Sequence, residues 1–146
     1  DTGNTSARNI NKMGFNAGNI QGIFLTHFHS DHIDGLGELL LQRWVSNSNT
    51  QPVTVHGPEG VETVVNGFMQ AYSLDRGYRV AHHGESILPK SGFGAIPKTF
   101  ASQDDKATLV FDSSPLCRNN DLLTARQYFL LFVVDLVVDS CSIMFY

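Results

Sequence analysis

The stretch LTHFHSDHIDG, residues 25–35, places three histidines and an aspartate within six positions directly after an apolar run. Side chains two positions apart on an extended backbone point the same way, so His27 and His29 can bind one cation together. A turn after this pair would direct Asp31 and His32 toward a second cation beside the first. Imidazole and carboxylate suit zinc, while iron and manganese remain open. The spacing therefore predicts two adjacent divalent metal ions, each with two of these ligands.

Two further groups are weaker candidates for the same site. Asp34 lies where the next helix should begin, and we expect it to cap that helix or to accept a hydrogen bond from a ligand imidazole, rather than to bind metal. Gly35 would let the start of the helix pack closely behind the loop. His82 and His83, in the stretch AHHGE, are candidates for a position next to the site.

The elements around this cluster predict an α/β layered domain. Thr5 or Ser6 can cap a short helix, and NIQGIFLT reads as a strand buried on both faces, since its apolar residues are contiguous. IDGLGELLLQRWV has apolar residues at helix spacing, VTVHG alternates as a strand, and Pro58 opens a helix over residues 59–72. Residues 73–98 are rich in Gly and Pro and are interpreted as an excursion or hairpin-bearing insert. ATLVFDS is a further strand.

Composition bounds the class of protein. The chain has 146 residues, 42% hydrophobic and 16% charged, which suits one globular domain and argues against disorder. The formal charge of −4 provides no support for nucleic-acid binding. Cys117 and Cys141 are interpreted as ordinary thiols and do not indicate a redox compartment. No targeting peptide is visible at the start, DTGNTSARNI, which resembles the interior of a longer protein.

The last twenty residues, QYFLLFVVDLVVDSCSIMFY, are unusually apolar. Asp135 and Asp139 interrupt them, and a central Asp costs about 2.5–3.5 kcal/mol in a membrane-spanning helix. A buried strand pair is therefore the preferred interpretation. A membrane-associated or aggregation-prone end is the alternative.

THFHSDHIDG resembles the metal-binding motif of the metallo-β-lactamase superfamily. DTGNTS, GIFLTH and PVTVHGPEG resemble other segments of its ribonuclease Z and arylsulfatase-like branch, and YRVAHHGE is similar to secreted or periplasmic relatives there. The resemblance covers about residues 1–113. It implies a partial αβ/βα domain lacking the N-terminal strands and the C-terminal half, followed by an apolar tail, residues 114–146, of unclear homology.

The resemblance also implies a chemistry. A hydrolase of this family activates water between two divalent metal ions, most often zinc, with His27, His29, Asp31 and His32 as ligands and Asp31 also orienting the nucleophile or moving its proton. The expected substrate is a phosphodiester or sulfate ester of a small molecule or nucleotide. Lactones, thioesters and β-lactams stay open as alternatives.

The chain also departs from the family pattern. The family takes another His from a later loop, a bridging Asp from a later strand and a last His near its end, yet no His follows His83. Residues from about Ser114 show no resemblance, as a frameshift or a truncated gene would produce. The alternative to an enzyme is therefore an inactive fragment or degenerate domain that keeps residual metal binding.

Overall fold

The computed structural model describes residues 1–100, 108–112, 136–139 and 142–145. The chain forms two compact units, Asp1–Thr99 and Phe100–Tyr146. These units are defined by their internal contacts and not by homology. The domain boundary expected near residue 113 from the family resemblance therefore stays a prediction.

The first unit contains helices and strands in alternation, as its sequence predicts up to about residue 72; the helix over residues 73–83 and the strand over residues 95–99 were not predicted. Its elements are α1 (Ser6–Lys12), β1 (Gly22–Phe24), α2 (Ser30–Ile33), α3 (Leu36–Asn47), β2 (Val53–Gly57), α4 (Val61–Ala71), α5 (Ser73–His83) and β3 (Ala95–Thr99), with short 3-10 turns at Ala17–Asn19 and Lys90–Gly92. The strand predicted in NIQGIFLT is confirmed but is only three residues long. The helix predicted over residues 59–72 is confirmed within those bounds.

The three strands form one parallel sheet in the order β1-β2-β3. Gly22 pairs with Thr54 and Phe24 with His56, while Val55 pairs with Pro97 across the other side of β2. The backbone N–H of Leu25 continues the β1 pairing by donating to the His56 carbonyl at 2.8 Å. Parallel strands end at the same edge of a sheet, so the histidine loop that follows β1 lies at the carboxyl edge, where ligand sites of such sheets form.

The core lies between this sheet and the helices. Ile23, Phe24 and Leu25 are at most 4% exposed, which confirms a strand buried on both faces. The apolar stripe of α3 predicted as core, Leu36, Leu39, Leu40 and Trp44, is likewise buried. Burying one such side chain stabilises the fold by about 1.5–3 kcal/mol, so this stripe holds the loop before α3 firmly in place.

The segment from Ser73 onward differs from its sequence interpretation. Instead of a hairpin-bearing insert, residues 73–83 form the helix α5, and the following loop packs Leu88 and Phe93 against Trp44. The Trp44 indole N–H donates to the Pro89 carbonyl at 2.8 Å, and its ring meets that of Phe93 edge-on at 5.3 Å. The Gly and Pro residues of this segment therefore lie in a helix and a packed loop and do not form a hairpin.

The second unit is an antiparallel sheet of β4 (Thr108–Asp112), β5 (Leu136–Asp139) and β6 (Ser142–Phe145), in the order β4-β6-β5. The strand expected in ATLVFDS is confirmed, and β5 pairs with β6 as the predicted strand pair of the tail. Cys117, Cys141 and the whole apolar run before Leu136 lie outside the described residues. Among the described residues, no helix has the length and hydropathy that a membrane span requires.

Candidate metal centre

The histidine loop runs from the end of β1 into α2. His29 keeps an extended backbone, with φ −62° and ψ 146°, directly before the first residue of α2. Residues 27 and 29 therefore share a side, as predicted, while Asp31 and His32 lie in the first turn of α2. His27 at the strand end and His32 in the helix lie next to each other, with their ring centroids 4.0 Å apart.

The structure brings the three imidazoles together. The Nε2 atom of His27 lies 3.0 Å from the Nδ1 atom of His29. The ring centroids of His27 and His32 are 4.0 Å apart. With a metal–nitrogen distance of about 2.0–2.1 Å, two nitrogens on one tetrahedral zinc lie roughly 3.3 Å apart. The first pair therefore has nearly the separation that one cation requires.

The partly buried carboxylate of Asp1 orients two of these imidazoles. The Oδ1 atom of Asp1 accepts from the Thr26 backbone N–H at 2.7 Å, and its Oδ2 atom lies 2.8 Å from the Nδ1 atom of His32. The Thr26 hydroxyl is 2.9 Å from that Oδ2 atom and 3.0 Å from the Nδ1 atom of His27. When Thr26 donates to Asp1, it accepts from His27, so both rings carry their proton on Nδ1.

This arrangement directs the Nε2 atoms of His27 and His32 away from Asp1 and Thr26, with that of His27 facing the Nδ1 atom of His29 at 3.0 Å. A carboxylate partner also raises the basicity of an imidazole ligand and fixes its orientation. The sequence makes Asp34 a candidate to accept a hydrogen bond from a ligand imidazole. In the structure, Asp1 is the acceptor for His32. Asp1 and Thr26 were not predicted as site residues. Their only sign in the sequence is the position of DTGNTS and of Thr26 beside the motif.

The pKa of His27 favours its neutral form. The pKa of His27 is lowered from 6.5, first by desolvation and then by the neighbouring charges of His32 and His29, while Asp31 opposes the shift. A neutral imidazole is the form that binds metal. The donor set and its spacing thus fit a divalent cation as a partial ligand set.

Asp31 and Asp34 lie at the solvent-exposed side of the loop. The side chain of Asp31 is 77% exposed, and its Oδ2 atom is 3.5 Å from the Nε2 atom of His32. Asp34 follows the last residue of α2, and Gly35 occupies the N-cap position of α3. The helix-capping role expected for Asp34 is therefore wrong.

Gly35 packs closely, as expected. An added Cβ there would collide with the carbonyl of Gly3, and the Gly35 N–H donates to the Thr2 carbonyl at 2.8 Å. The Thr2 N–H in turn donates to the His32 carbonyl at 2.8 Å. Residues 1–3 thus form a strap across the junction between the end of α2 and the start of α3.

The other histidines stand apart. His82 and His83 are exposed in the last turn of α5 and contact each other edge-on at 4.6 Å. Within residues 1–100 they make no hydrogen bond or ring contact with the cluster. His56, in β2, is 2% exposed and stacks on Phe24 at 4.7 Å. Its pKa is lowered to about 4, mainly by burial and then by Lys98.

The described part of the chain contains no group of three or more His, Cys, Asp or Glu side chains arranged to hold one cation. The predicted assignment takes two ligands for each metal ion from residues 27–32. Catalytic zinc sites usually take three protein ligands. The ligand assignment therefore stays a prediction for each of the four residues.

Comparison with known proteins agrees with this geometry. A family model described as Anti-Pycsar protein Apyc1 matches residues 1–66. Ribonuclease Z of Mycolicibacterium gilvum is 44% identical over 79 residues, 53% of this chain and 28% of that protein. Ribonuclease Z of Mycobacterium bovis is 39% identical over the same shares. Over part of its length, the chain matches the ribonuclease Z branch of the metallo-β-lactamase superfamily.

A solved structure supports the fold. The crystal structure of human tRNase Z, short form, matches with a TM-score of 0.50 and 23% identity, over 77% of this chain and 42% of that one. The chain thus contains part of the metallo-β-lactamase fold, as the motif predicted. The chain spans only 28% of the length of the ribonuclease Z proteins named above.

Proposed function

We propose that this segment carries part of the active centre of a metal-dependent phosphodiester hydrolase. The observation that supports it most is the convergence of His27, His29 and His32, held from behind by Asp1, at the carboxyl edge of the parallel sheet. A carboxylate that orients an imidazole in this way is typical of metal centres, and this supports the proposal. Histidines with only a structural role in the core would not need a solvent-exposed face, whereas metal ligands do.

We assign His27 and His29 to one cation and Asp31 and His32 to a second, most simply both zinc. When bound, such ions lower the pKa of water and supply a hydroxide nucleophile near neutral pH. Asp31, exposed and beside His32, would orient that nucleophile or take its proton. Asp1 would hold His32 and, through Thr26, His27 in the tautomer that binds metal.

The substrate we favour is an RNA phosphodiester. The names of the relatives, ribonuclease Z and tRNase Z, support it. The net charge of −4 does not, because phosphate backbones are bound through Lys and Arg. Sulfate-ester hydrolysis is a second candidate, carried by the resemblance to arylsulfatase-like members and by the same attack on a tetrahedral centre.

Metal stoichiometry tests the site directly. The full chain is loaded with zinc, dialysed and measured by elemental analysis, beside His27→Gln and, as a matched control, His82→Gln. We expect one to two zinc ions per chain, a loss in the first variant and no loss in the second. Equal zinc content in both variants would contradict the ligand assignment.

Turnover tests the function. The zinc-loaded chain is offered bis(p-nitrophenyl) phosphate, p-nitrophenyl sulfate and a short RNA, with Asp31→Asn as the inactive variant. Hydrolysis of the phosphodiesters that disappears in Asp31→Asn supports the proposal. Bound zinc without hydrolysis of any of the three would favour the alternative, a fragment with residual metal binding.

A further inference from the structure

A second candidate site lies on α5, formed by residues that the metal centre does not use. A cavity of about 440 Å³ opens between this helix and the loop that follows it. Its lining residues are Ser73, Arg76, Gly77, Val80, Ala81 and Lys90. Its volume falls within the range of roughly 300–1,000 Å³ typical of small-molecule sites.

Arg76 is the unusual member of this cavity. Its guanidinium carbon lies 5.7 Å above the ring centroid of Phe93, which holds the group by a cation–π contact. Among residues 1–100 no carboxylate pairs with it, and no hydrogen bond uses its guanidinium N–H groups. Arg79, one turn further along, is by contrast paired with Asp75 at 2.7 Å. Arg76 is thus a positioned cation with unused donors.

The rest of the lining fits an anion with an apolar body. Lys90 adds a second cation at the rim, although Glu85 shares it at 3.1 Å. An added Cβ on Gly77 would meet nothing within 4 Å, so the helix surface there is open to a ligand. Val80 and Ala81 supply an apolar wall. A guanidinium presents its donors in a planar fork that matches two oxygens of a phosphate.

We propose that this cavity binds a phosphorylated ligand, with the phosphate on Arg76 and Lys90 and the apolar part against Val80 and Ala81. The inference does not rest on the proposed hydrolysis, because none of these residues belongs to the histidine cluster. Two sources offer this chemistry, a free mononucleotide and a phosphate of a polynucleotide.

The test is a titration of the metal-free, 15N-labelled full chain, followed by amide shifts. The probes are inorganic phosphate, AMP and a single-stranded RNA octamer. Arg76→Gln removes the proposed anchor, and Arg79→Gln is the matched control, since it changes the net charge equally on the same helix. Arg76→Lys keeps the charge but loses the fork. Dispersed spectra establish that each variant is folded.

We expect the amides of Gly77, Ala81 and Lys90 to shift with saturation. Binding should weaken about tenfold in Arg76→Gln, less in Arg76→Lys and under twofold in Arg79→Gln. AMP binding more tightly than both other probes assigns a mononucleotide, and tightest binding of the octamer assigns a polynucleotide. Equal weakening in Arg76→Gln and Arg79→Gln, absence of binding, or shifts confined to the histidine loop would overturn the proposal.

Discussion

Replacing Asp1 by Asn should show how much Asp1, which is not one of the predicted metal ligands, contributes to the metal centre. In the native chain the Oδ1 atom of Asp1 accepts from Thr26 and its Oδ2 atom faces the Nδ1 atom of His32. An Asn that keeps its oxygen toward Thr26 places an NH2 group against the His32 N–H. The imidazole must then move its proton to Nε2, the atom assigned to the metal.

The magnitude follows from these contacts. Hydrogen bonds to a charged group contribute about 1.5–3 kcal/mol each, against about 0.5–1.5 kcal/mol for neutral pairs. Losing the charge on the two Thr26 contacts and one contact to His32 should lower the free energy of unfolding by about 2–4 kcal/mol. With a urea m-value of about 1–3 kcal/mol per molar, the midpoint falls by roughly 1–2 M. Zinc affinity should fall about 10–100-fold.

Urea unfolding followed by Trp44 fluorescence measures the first effect, because this one tryptophan is fully buried in the native chain. A competitive zinc titration measures the second. Asp34→Asn is the control, since Asp34 is exposed and its side chain makes no hydrogen bond among residues 1–100. If Asp1→Asn and Asp34→Asn behave alike in both assays, Asp1 does not support the centre as described.

Three further outcomes can be checked. Gly92→Ala should be strongly destabilising in urea, because its Cβ would collide with the Asn49 carbonyl, whereas Gly67→Ala meets nothing and should stabilise α4 by about 0.5–1 kcal/mol. The native pKa of His56 is about 4 against 6.5 unfolded, so only the unfolded chain takes up this proton between those values. The free energy of unfolding should therefore be highest above pH 6.5 and fall by up to about 3 kcal/mol toward pH 4. The variant His56→Phe, which keeps a ring on Phe24, should lose this part of the pH dependence. Zinc at about 100 times its dissociation constant should raise the free energy of unfolding by about 2.7 kcal/mol, and an unchanged midpoint would contradict binding to the native state.

The elements with clear periodicity could be predicted from the sequence. The contiguous apolar run ending at Leu25 and the helical stripe around Leu40 specify burial by themselves, because each pattern suits only one kind of element. The helix α5 could not be predicted, since Gly77 within it and Gly84 and Pro89 after it carry the composition of a loop. Packing of the following loop on Trp44 stabilises a helix that local composition does not favour.

The metal-binding motif was predictable because its spacing is local. Its support was not, because Asp1 and His32 meet across 31 positions and only the tertiary fold brings them together. Asp34 stood at the right place in the sequence for a cap, yet α2 ends there and Gly35 takes the position before α3. Because the one-turn helix α2 precedes α3, the Asp34 side chain lies at the surface and does not cap α3.

The strap at Thr2 has a kinetic consequence. It joins residues 30 positions apart through backbone hydrogen bonds to His32 and Gly35. Closing a loop of that length costs about 3 kcal/mol of chain entropy plus a constant. We expect helix α3 to form locally and the imidazoles to gain their mutual spacing only after this long-range closure. We expect strap docking and cation binding to be linked equilibria, each tightening the other by the same factor.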